Sequence, residues 1–156
     1  MIKIRDATVK DTEQIATLWK GLMDHHQDVI TNPSRLKKNS KSIFKKFIIK
    51  NIKSKNSILI VAEEDKQLIG YLMGFIRDEP PIYNEDKIGY ISDGFVIKEK
   101  RRKGIMKKLV GKAKTFFKKK KMNRVYLRAD TSNTQGVKSW DKIGFKEKVK
   151  QMYIKL

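Results

Sequence analysis

One stretch constrains the fold more than any other: residues 93–117, which pass from the end of an apolar run through a basic, glycine-containing loop into an amphipathic pattern. The apolar run is rich in β-branched and aromatic residues, which predicts a central strand from Lys87 to Ile97. After Gly104, apolar residues recur at three- and four-residue steps and predict a helix with one buried face. A helix N-terminus offers unpaired N–H groups and a positive dipole end. The stretch therefore predicts a loop that binds an anionic phosphate group.

The basic loop carries a family resemblance. From Val96 to Met106 the chain resembles the signature Arg/Gln-x-x-Gly-x-Gly/Ala, preceded by a strand ending in valine, of the GNAT N-acetyltransferases. In that family the loop amides hold the pyrophosphate of acetyl-coenzyme A, and Met106 stands where the family has a small residue. On these residues alone, an ordinary strand–helix connection with surface lysines is the alternative. The resemblance implies that the following residues bind the coenzyme: Arg101, Arg102, Lys103, Gly104, Ile105, Met106 and Lys107.

A second motif lies further along the chain. Asn133-x-x-Gly-x-x-x-Trp140-x-x-Ile143-Gly144-Phe145 is similar to the GNAT pattern Asn-x-x-Ala-x-x-x-Tyr-x-x-x-Gly-Phe and lies at the family's spacing from the loop. Asn133 and Gly144 are also typical of the two ends of a short helix, whether or not the protein is an enzyme. We expect Phe145 to begin a last strand that continues to Leu156.

Together the two motifs imply a fold over the whole chain. We expect an α/β protein with a GNAT-like three-layer fold, whose mixed, mostly antiparallel central sheet has about six to seven strands and helices on both faces. Residues 1–156 would form a single N-acetyltransferase domain, since this length is typical of one domain. Asn133 joins the expected coenzyme-binding residues.

The order of elements before the motifs agrees with that fold. Residues 1–6 alternate as a short strand, and a helix follows with an apolar stripe between Ile15 and Met23. A second helix is expected after Ser40. Residues 57–63 and 68–77 predict an antiparallel hairpin, 79–86 an exposed loop, and 124–129 a strand parallel to the central one. The second helix should direct these residues inward: Ile43, Phe44, Phe47, Ile48 and Ile52.

Composition excludes several kinds of site. The chain has no cysteine, so disulfides, thiolate metal sites and cysteine nucleophiles are ruled out, and two adjacent histidines make a poor metal set. We therefore expect no metal.

The N-terminus has no signal-peptide pattern, and the longest apolar run, residues 58–62, is far shorter than a spanning helix. These features predict a cytoplasmic protein without a membrane partner, and a homodimer is compatible with them.

The net charge of +20 raises the question of a polyanionic partner. Lysines lie in every segment and far outnumber the seven arginines, whereas base-reading surfaces rely on arginine and on exposed aromatic side chains. We therefore expect weak, nonspecific attraction to polyanions and no specific nucleic-acid site.

The resemblance implies a reaction, the transfer of an acetyl group from acetyl-coenzyme A to a primary amine. In the family, backbone N–H groups of the central strand polarise the thioester carbonyl, and that strand segment corresponds here to Gly94, Phe95 and Val96. An alkylammonium with a pKa of ~10 must lose its proton before it attacks. Asp93 interrupts an apolar strand and is the candidate base; a structural carboxylate is the alternative.

Other positions are less defined. His25, His26, Glu79 and Tyr83 lie on segments that in this family shape the acceptor pocket, and exposed polar residues are the alternative for each. Glu79, Glu85 and Asp86 would make such a pocket locally acidic.

Trp140 departs from the family pattern. It occupies the position of the tyrosine that serves the family as general acid, but an indole N–H cannot deliver a proton. Either the thiolate leaves without a protein acid, or another tyrosine serves, or catalysis is weak, or Trp140 only packs in the core. We therefore interpret the chain as an N-acetyltransferase, with a degenerate acyl-coenzyme A-binding module or a basic nucleic-acid binder as alternatives. The acceptor stays open among a protein N-terminus, a lysine, a polyamine and a small amine.

Overall fold

A computed structural model describes residues 1–156 and contains one five-stranded sheet with four α-helices. Strand order follows the chain, β1-β2-β3-β4-β5; neighbouring strands are antiparallel except β4 and β5, which are parallel. The strands are β1 (Lys3–Asp6), β2 (Ser57–Glu64), β3 (Gln67–Asp78), β4 (Lys87–Val96) and β5 (Val125–Leu127). The helices are α1 (Thr12–Val29), α2 (Ser40–Ile52), α3 (Ile105–Lys119) and α4 (Thr134–Ile143). The predicted fold class, the β2–β3 hairpin and the parallel β4–β5 pair are confirmed.

The predicted strand count is wrong. The sheet has five strands, and residues 145–156 form no strand. Most of the apolar side chains of this segment are exposed; Met152 and Ile154 retain 88% and 83% of their accessible surface. Local alternation suggested a strand, but a strand also needs a partner for its hydrogen-bond ladder, and β5 offers only three paired residues.

Helices α1 and α2 cover one face of the sheet. Ile15 and Ile48 are fully buried against inward residues of β2 and β3, and Trp19 stacks on Phe44 with ring centroids 4.4 Å apart. The inward stripe predicted for α1 is largely confirmed. The stripe predicted for α2 is partly wrong, because Ile43 and Phe47 are 47% and 41% exposed. The apolar stripe of α2 is wider than the surface that α1 and β2 present to it.

Helix α3 covers the opposite face, and residues of α4 pack at the edge of the same core. Leu109, Ala113 and Phe117 recur at the spacing predicted from the sequence and are almost completely buried. The Phe117 ring lies against Gly89 and Gly74, where there is no room for a side chain on either strand. The sheet therefore lies between two helical layers, which is the predicted three-layer arrangement.

Strand β4 contains one extra residue. Met73 of β3 pairs with Asp93 while Gly74 pairs with Ile91, so Ser92 is the unpaired residue of a β-bulge. The bulge changes the alternation of side chains along β4. Tyr90 and Asp93, three residues apart, both face the α1–α2 layer, whereas Ile91 and Gly94 face the α3–α4 layer. The bulge thus decides which face of the sheet each site residue occupies.

Candidate functional site

A notch opens where two parallel strands part. The pairing of β4 with β5 ends at Ile91 and Leu127, but β4 continues to Val96. Over residues 92–96, β4 is paired on its β3 side only. Ligands of open α/β sheets bind where the carboxyl ends of parallel strands diverge, because backbone groups are free there.

The ladder between β3 and β4 tells which backbone groups face this notch. The Ile97 N–H donates to the Ile69 carbonyl over 3.0 Å, and bonded pairs alternate along an antiparallel ladder. Phe95 therefore directs its N–H toward β3, whereas Gly94 and Val96 direct theirs into the notch. The Val96 carbonyl already accepts a 2.9 Å bond from Nε of Arg101. Of the three backbone donors predicted from the family, Gly94 and Val96 are available and Phe95 is not.

Gly94, Met106 and Trp140 meet on the α3–α4 side of the notch. A Cβ added to Gly94 would lie 3.1 Å from Cε of Met106 and 3.2 Å from Cη2 of Trp140. Any other residue at position 94 would therefore force these side chains to move. The sequence placed all three in one site, and the structure brings them together. Trp140 also packs edge-to-face on Phe145, with ring centroids 5.7 Å apart, so it has a core role as well.

The basic loop ends at an uncapped helix. Gly104 is the N-cap of α3 in a left-handed conformation, φ 73°, and no side chain accepts a hydrogen bond from the first turn. Nothing lies within 4 Å of a Cβ added there. The first-turn N–H groups therefore point into open space beside Arg102, Lys103 and Lys107, all exposed cations. This geometry suits an anionic phosphate.

Asn133 has a structural role. Its side-chain oxygen accepts a 3.0 Å hydrogen bond from the Gly136 N–H and so caps α4. At the other end, Gly144 terminates α4 with φ 115°. Both helix-end predictions are confirmed, and together they hold Trp140 at its place beside Gly94.

Asp93 lies on the opposite face of β4 from Gly94, half-buried and without an ion-pair partner. Burial raises the pKa of this carboxyl from 3.8 to about 6, because desolvation disfavours the charged form. A carboxylate with such a pKa is ionised at neutral pH and is a stronger base than an ordinary aspartate.

A buried phenol lies near Asp93. Tyr71 of β3 faces the same side of the sheet, is fully buried, and its hydroxyl has no hydrogen-bond partner. Burial, and then the charge of Asp93, raise the pKa of this tyrosine well above its ordinary value. A buried hydroxyl without a partner costs about 1–3 kcal/mol, so a hydrogen-bond acceptor placed next to the Tyr71 hydroxyl would be stabilised.

The C-terminal end of α1 borders the same side. Burial, followed by the positive charge of Arg101, lowers the pKa of His25; burial and then His25 lower the pKa of His26. The Arg101 guanidinium lies 5.4 Å from the Phe95 ring centroid. The Thr31 N–H donates to Oγ of Ser132 over 2.9 Å and ties the end of α1 to the loop after β5. His25 therefore lies near Arg101, and His26 lies near Asp130 in the loop after β5.

Two predicted acceptor residues lie elsewhere. Glu79 and Tyr83 belong to the loop before β4, and six residues separate the start of β4 from Asp93, roughly 20 Å at the usual rise. Glu79 pairs with Arg77 at 3.0 Å, and Tyr83 is 59% exposed. The structure does not bring them together with Asp93. Their expected place in the acceptor pocket came from the family resemblance of their segment, whereas in this chain the loop lies at the far end of β4 from Asp93.

Other features lie outside the notch. No group of three or more histidine, aspartate and glutamate side chains is placed to hold a metal ion. A cavity of about 590 Å³ lies between α3 and β1–β2, lined among others by Asp6, Lys112 and Lys119, on the part of α3 remote from the basic loop. No helix is both long enough and apolar enough to cross a membrane.

The fold and the notch define a class: a three-layer α/β protein with an anion-binding loop beside the split end of two parallel strands. The sequence model of the acetyltransferase (GNAT) family matches residues 19–145. The chain therefore belongs to the GNAT acetyltransferase family, whose members are acetyl-coenzyme A-dependent enzymes. No curated protein sequence matches it.

Solved structures resemble this fold closely at low sequence identity. A predicted acetyltransferase from Clostridium acetobutylicum, solved with acetyl-CoA, superposes with a TM-score of 0.82 at 18% identity, covering 99% of this chain and 96% of that one. Aminoglycoside N-acetyltransferase AAC(6')-Iy in complex with CoA gives 0.79 at 18% identity, with 100% and 95% coverage. The apo enzyme AAC(6')-IG from Acinetobacter haemolyticus gives 0.78 at 18% identity, with 99% and 97% coverage. At this identity the likeness concerns the fold.

Proposed function

We propose that residues 1–156 form a single domain that transfers the acetyl group of acetyl-coenzyme A to the nitrogen of a small primary amine. One observation carries the proposal: at the split end of β4, Gly94 opens one face of the strand and the partner-free carboxyl of Asp93 lies on the other. A thioester held on the first face and an amine held on the second would meet at the end of the strand.

The side of β4 that Gly94 faces has hydrogen-bond donors for two polar parts of the coenzyme, the pyrophosphate and the thioester carbonyl. The first-turn N–H groups of α3, with Arg102, Lys103 and Lys107, would hold the pyrophosphate. The N–H groups of Gly94 and Val96 would donate to the thioester carbonyl oxygen, where negative charge develops during attack. Arg101 keeps the loop in place through its bond to the Val96 carbonyl.

The acceptor side supplies the base. Asp93, ionised at neutral pH, takes a proton from the ammonium form of the acceptor, and the freed nitrogen attacks the carbonyl carbon. A C–N bond forms, the C–S bond breaks, and the second proton leaves the attacking nitrogen for the departing thiolate, giving an amide and coenzyme A thiol. A thiolate whose thiol has a pKa of ~8.5 leaves readily without a protein acid, so the absence of a tyrosine at position 140 is compatible with turnover.

Two observations bear on the acceptor and on the alternatives. AAC(6')-Iy and AAC(6')-IG are aminoglycoside acetyltransferases, which supports a small amine as acceptor over a folded protein. A second candidate, an acyl-coenzyme A-binding module without turnover, is favoured by Trp140 alone. The exposed lysines are spread over the four helices and the loops, so we assign them loose attraction to polyanions and no defined nucleic-acid site.

The test is release of coenzyme A thiol from acetyl-coenzyme A in the presence of a panel of primary amines, with calorimetric binding of the coenzyme measured in parallel. We expect coenzyme binding and amine-dependent thiol release. Binding without release for any amine would instead support the binding module.

Substitutions of Trp140 distinguish an active enzyme that lacks a general acid from an inactive protein. If the thiolate needs no acid, the indole only shapes the wall beside Gly94, and Trp140→Phe should retain turnover within about tenfold, short of the ~10²–10⁴-fold loss that follows removal of a general acid. Trp140→Tyr should raise turnover little. Steady-state rates on one accepted amine measure both, and a hundredfold gain for Trp140→Tyr would contradict the acid-independent mechanism.

A further inference from the structure

Three aromatic side chains form a row across the sheet below Asp93. Phe75 of β3 pairs with Tyr90 of β4, and Tyr90 pairs with Tyr126 of β5. All three face the α1–α2 layer, because Gly74, Gly89, Val125 and Leu127 between them face α3. The Phe75 and Tyr90 ring centroids are 5.6 Å apart. We call these three residues the aromatic row.

The helical layer does not cover this row completely. α1 packs mainly on β3 and α2 on β2, so the outer part of this face on β4 and β5 has little helix above it. All three rings are half-buried and keep some surface in solvent. Phe75 also lines a cavity of about 290 Å³, whose apolar lining residues are Phe47, Phe75 and Ile76. The aromatic row is thus a partly exposed aromatic surface on this face of the sheet.

The distance to Asp93 is set by the register. Phe75 pairs with Tyr90 and Met73 with Asp93, so Tyr90 and Asp93 lie two ladder steps apart on the same face, roughly 7 Å. An amine hydrogen-bonded to the Asp93 carboxylate would therefore place a group two or three bonds from its nitrogen over the Tyr90 ring.

The charges around the row disfavour a polycation. Two carboxylates of the loop before β4 are paired with arginines, Glu79 with Arg77 at 3.0 Å and Glu85 with Arg124 at 3.6 Å. The Arg77 guanidinium lies 4.6 Å from the Tyr90 ring centroid, so one face of this ring already carries a cation and the other is left for an uncharged group. With a net charge of +20, the surface repels a ligand carrying several ammonium groups.

We propose that the acceptor is a primary amine with a flat apolar or aromatic body, held with its nitrogen at Asp93 and its body on the aromatic row. This inference rests on the proposed acetyl transfer and adds the substrate class. A polyamine or an aminoglycoside would bring further ammonium groups close to Arg77 and Arg124, and it has no flat apolar body to place on the row.

The experiment compares kcat/KM for three amines: phenethylamine, with a ring two carbons from nitrogen; butylamine, without a ring; and spermidine, a polycation. We expect phenethylamine to be preferred over butylamine by about ten- to a hundredfold, the factor that burial of an aromatic ring provides. Tyr90→Ala should remove most of that preference, because it should raise KM for phenethylamine much more than KM for butylamine.

Two variants control for structural damage. Tyr90→Phe keeps the ring and should retain the preference, while Tyr83→Ala removes an exposed tyrosine outside the row and should have no effect. Unchanged calorimetric affinity for acetyl-coenzyme A reports that each variant is folded. A higher kcat/KM for spermidine, or a ring preference that survives Tyr90→Ala, would overturn the inference and leave the acetyltransferase in place. Acetylation of no amine at all would overturn the proposed function and this inference with it.

Discussion

Replacing Asp93 by asparagine should lower kcat by about 10²–10⁴-fold, the usual loss when a general base is removed, and should leave coenzyme affinity unchanged. Asparagine has nearly the same shape but cannot take a proton. Gly94, which faces the coenzyme side, is not disturbed because the two side chains lie on opposite faces of β4. Steady-state kinetics and calorimetry measure the two effects separately. Glu147→Gln, at an exposed carboxylate in residues 145–156, is the matched control.

The pH profile gives this prediction a second readout. Because the pKa of Asp93 is raised to about 6, kcat/KM should rise as pH increases through 6, where the base becomes ionised. This rise of kcat/KM with pH should disappear in Asp93→Asn, because the variant has no carboxyl at this position to ionise. If the variant shows the same pH profile, the rise belongs to another titratable group.

The same substitution should stabilise the fold above pH 6. The folded state binds the Asp93 proton more tightly than the unfolded state, whose pKa is near 3.8, so stability falls as pH rises from about 4 to 6 and stays reduced above it. At pH 8, Asp93→Asn should raise the free energy of unfolding by about 1–3 kcal/mol, with the difference vanishing below pH ~4. Denaturant titrations at the two pH values test this. A structural carboxylate with a favourable partner would give the opposite sign.

Replacing Gly104 by valine should weaken acetyl-coenzyme A binding by at least about tenfold. A β-branched residue does not tolerate φ 73° and would turn the first-turn N–H groups away from the pyrophosphate, at a cost of order 1–3 kcal/mol. Lys107→Ala should do less, since an exposed charge at a helix start contributes about 0.3–1 kcal/mol. Calorimetric affinities compare the three proteins.

Gly111 provides the matched control for Gly104. An added Cβ meets nothing within 4 Å at either glycine, but Gly111 lies inside α3 and has no positive φ. Gly111→Ala should therefore leave coenzyme affinity unchanged and stabilise the helix by up to about 1 kcal/mol. If Gly104→Val binds the coenzyme as tightly as Gly111→Ala does, the loop is not part of the site.

The sequence was sufficient for the elements whose signals are local. Capping residues, a three-to-four-residue apolar period and a glycine before a helix predicted α3, α4 and their ends, since each depends on neighbours along the chain. The strand predicted over residues 145–156 was wrong because a strand depends on a partner strand as well as on its own pattern. The burial predicted for Ile43 and Phe47 was wrong because the width of the surface facing α2 depends on how the layers pack.

For the candidate site, the limit was the register of the sheet. The sequence located Asp93 as a charge within an apolar run, but the bulge at Ser92, which puts Asp93 on the face of Tyr90, has no local signature. The aromatic row joins residues 75, 90 and 126, and only cross-strand pairing brings them together. Glu79 and Tyr83 were assigned to the acceptor pocket from the segment they occupy, which says nothing about the end of the strand to which they belong.

The opposite orientations of Asp93 and Gly94 have a kinetic consequence. Two substrates that enter from different sides of one strand do not obstruct each other's entrance, so we expect either of them to bind to the free enzyme first. The chain has no cysteine to carry the acyl group between two half-reactions, and a ternary complex is the direct route. Initial-rate plots at several fixed concentrations of the second substrate should then give intersecting lines, as in a sequential mechanism, and never the parallel lines of a ping-pong one.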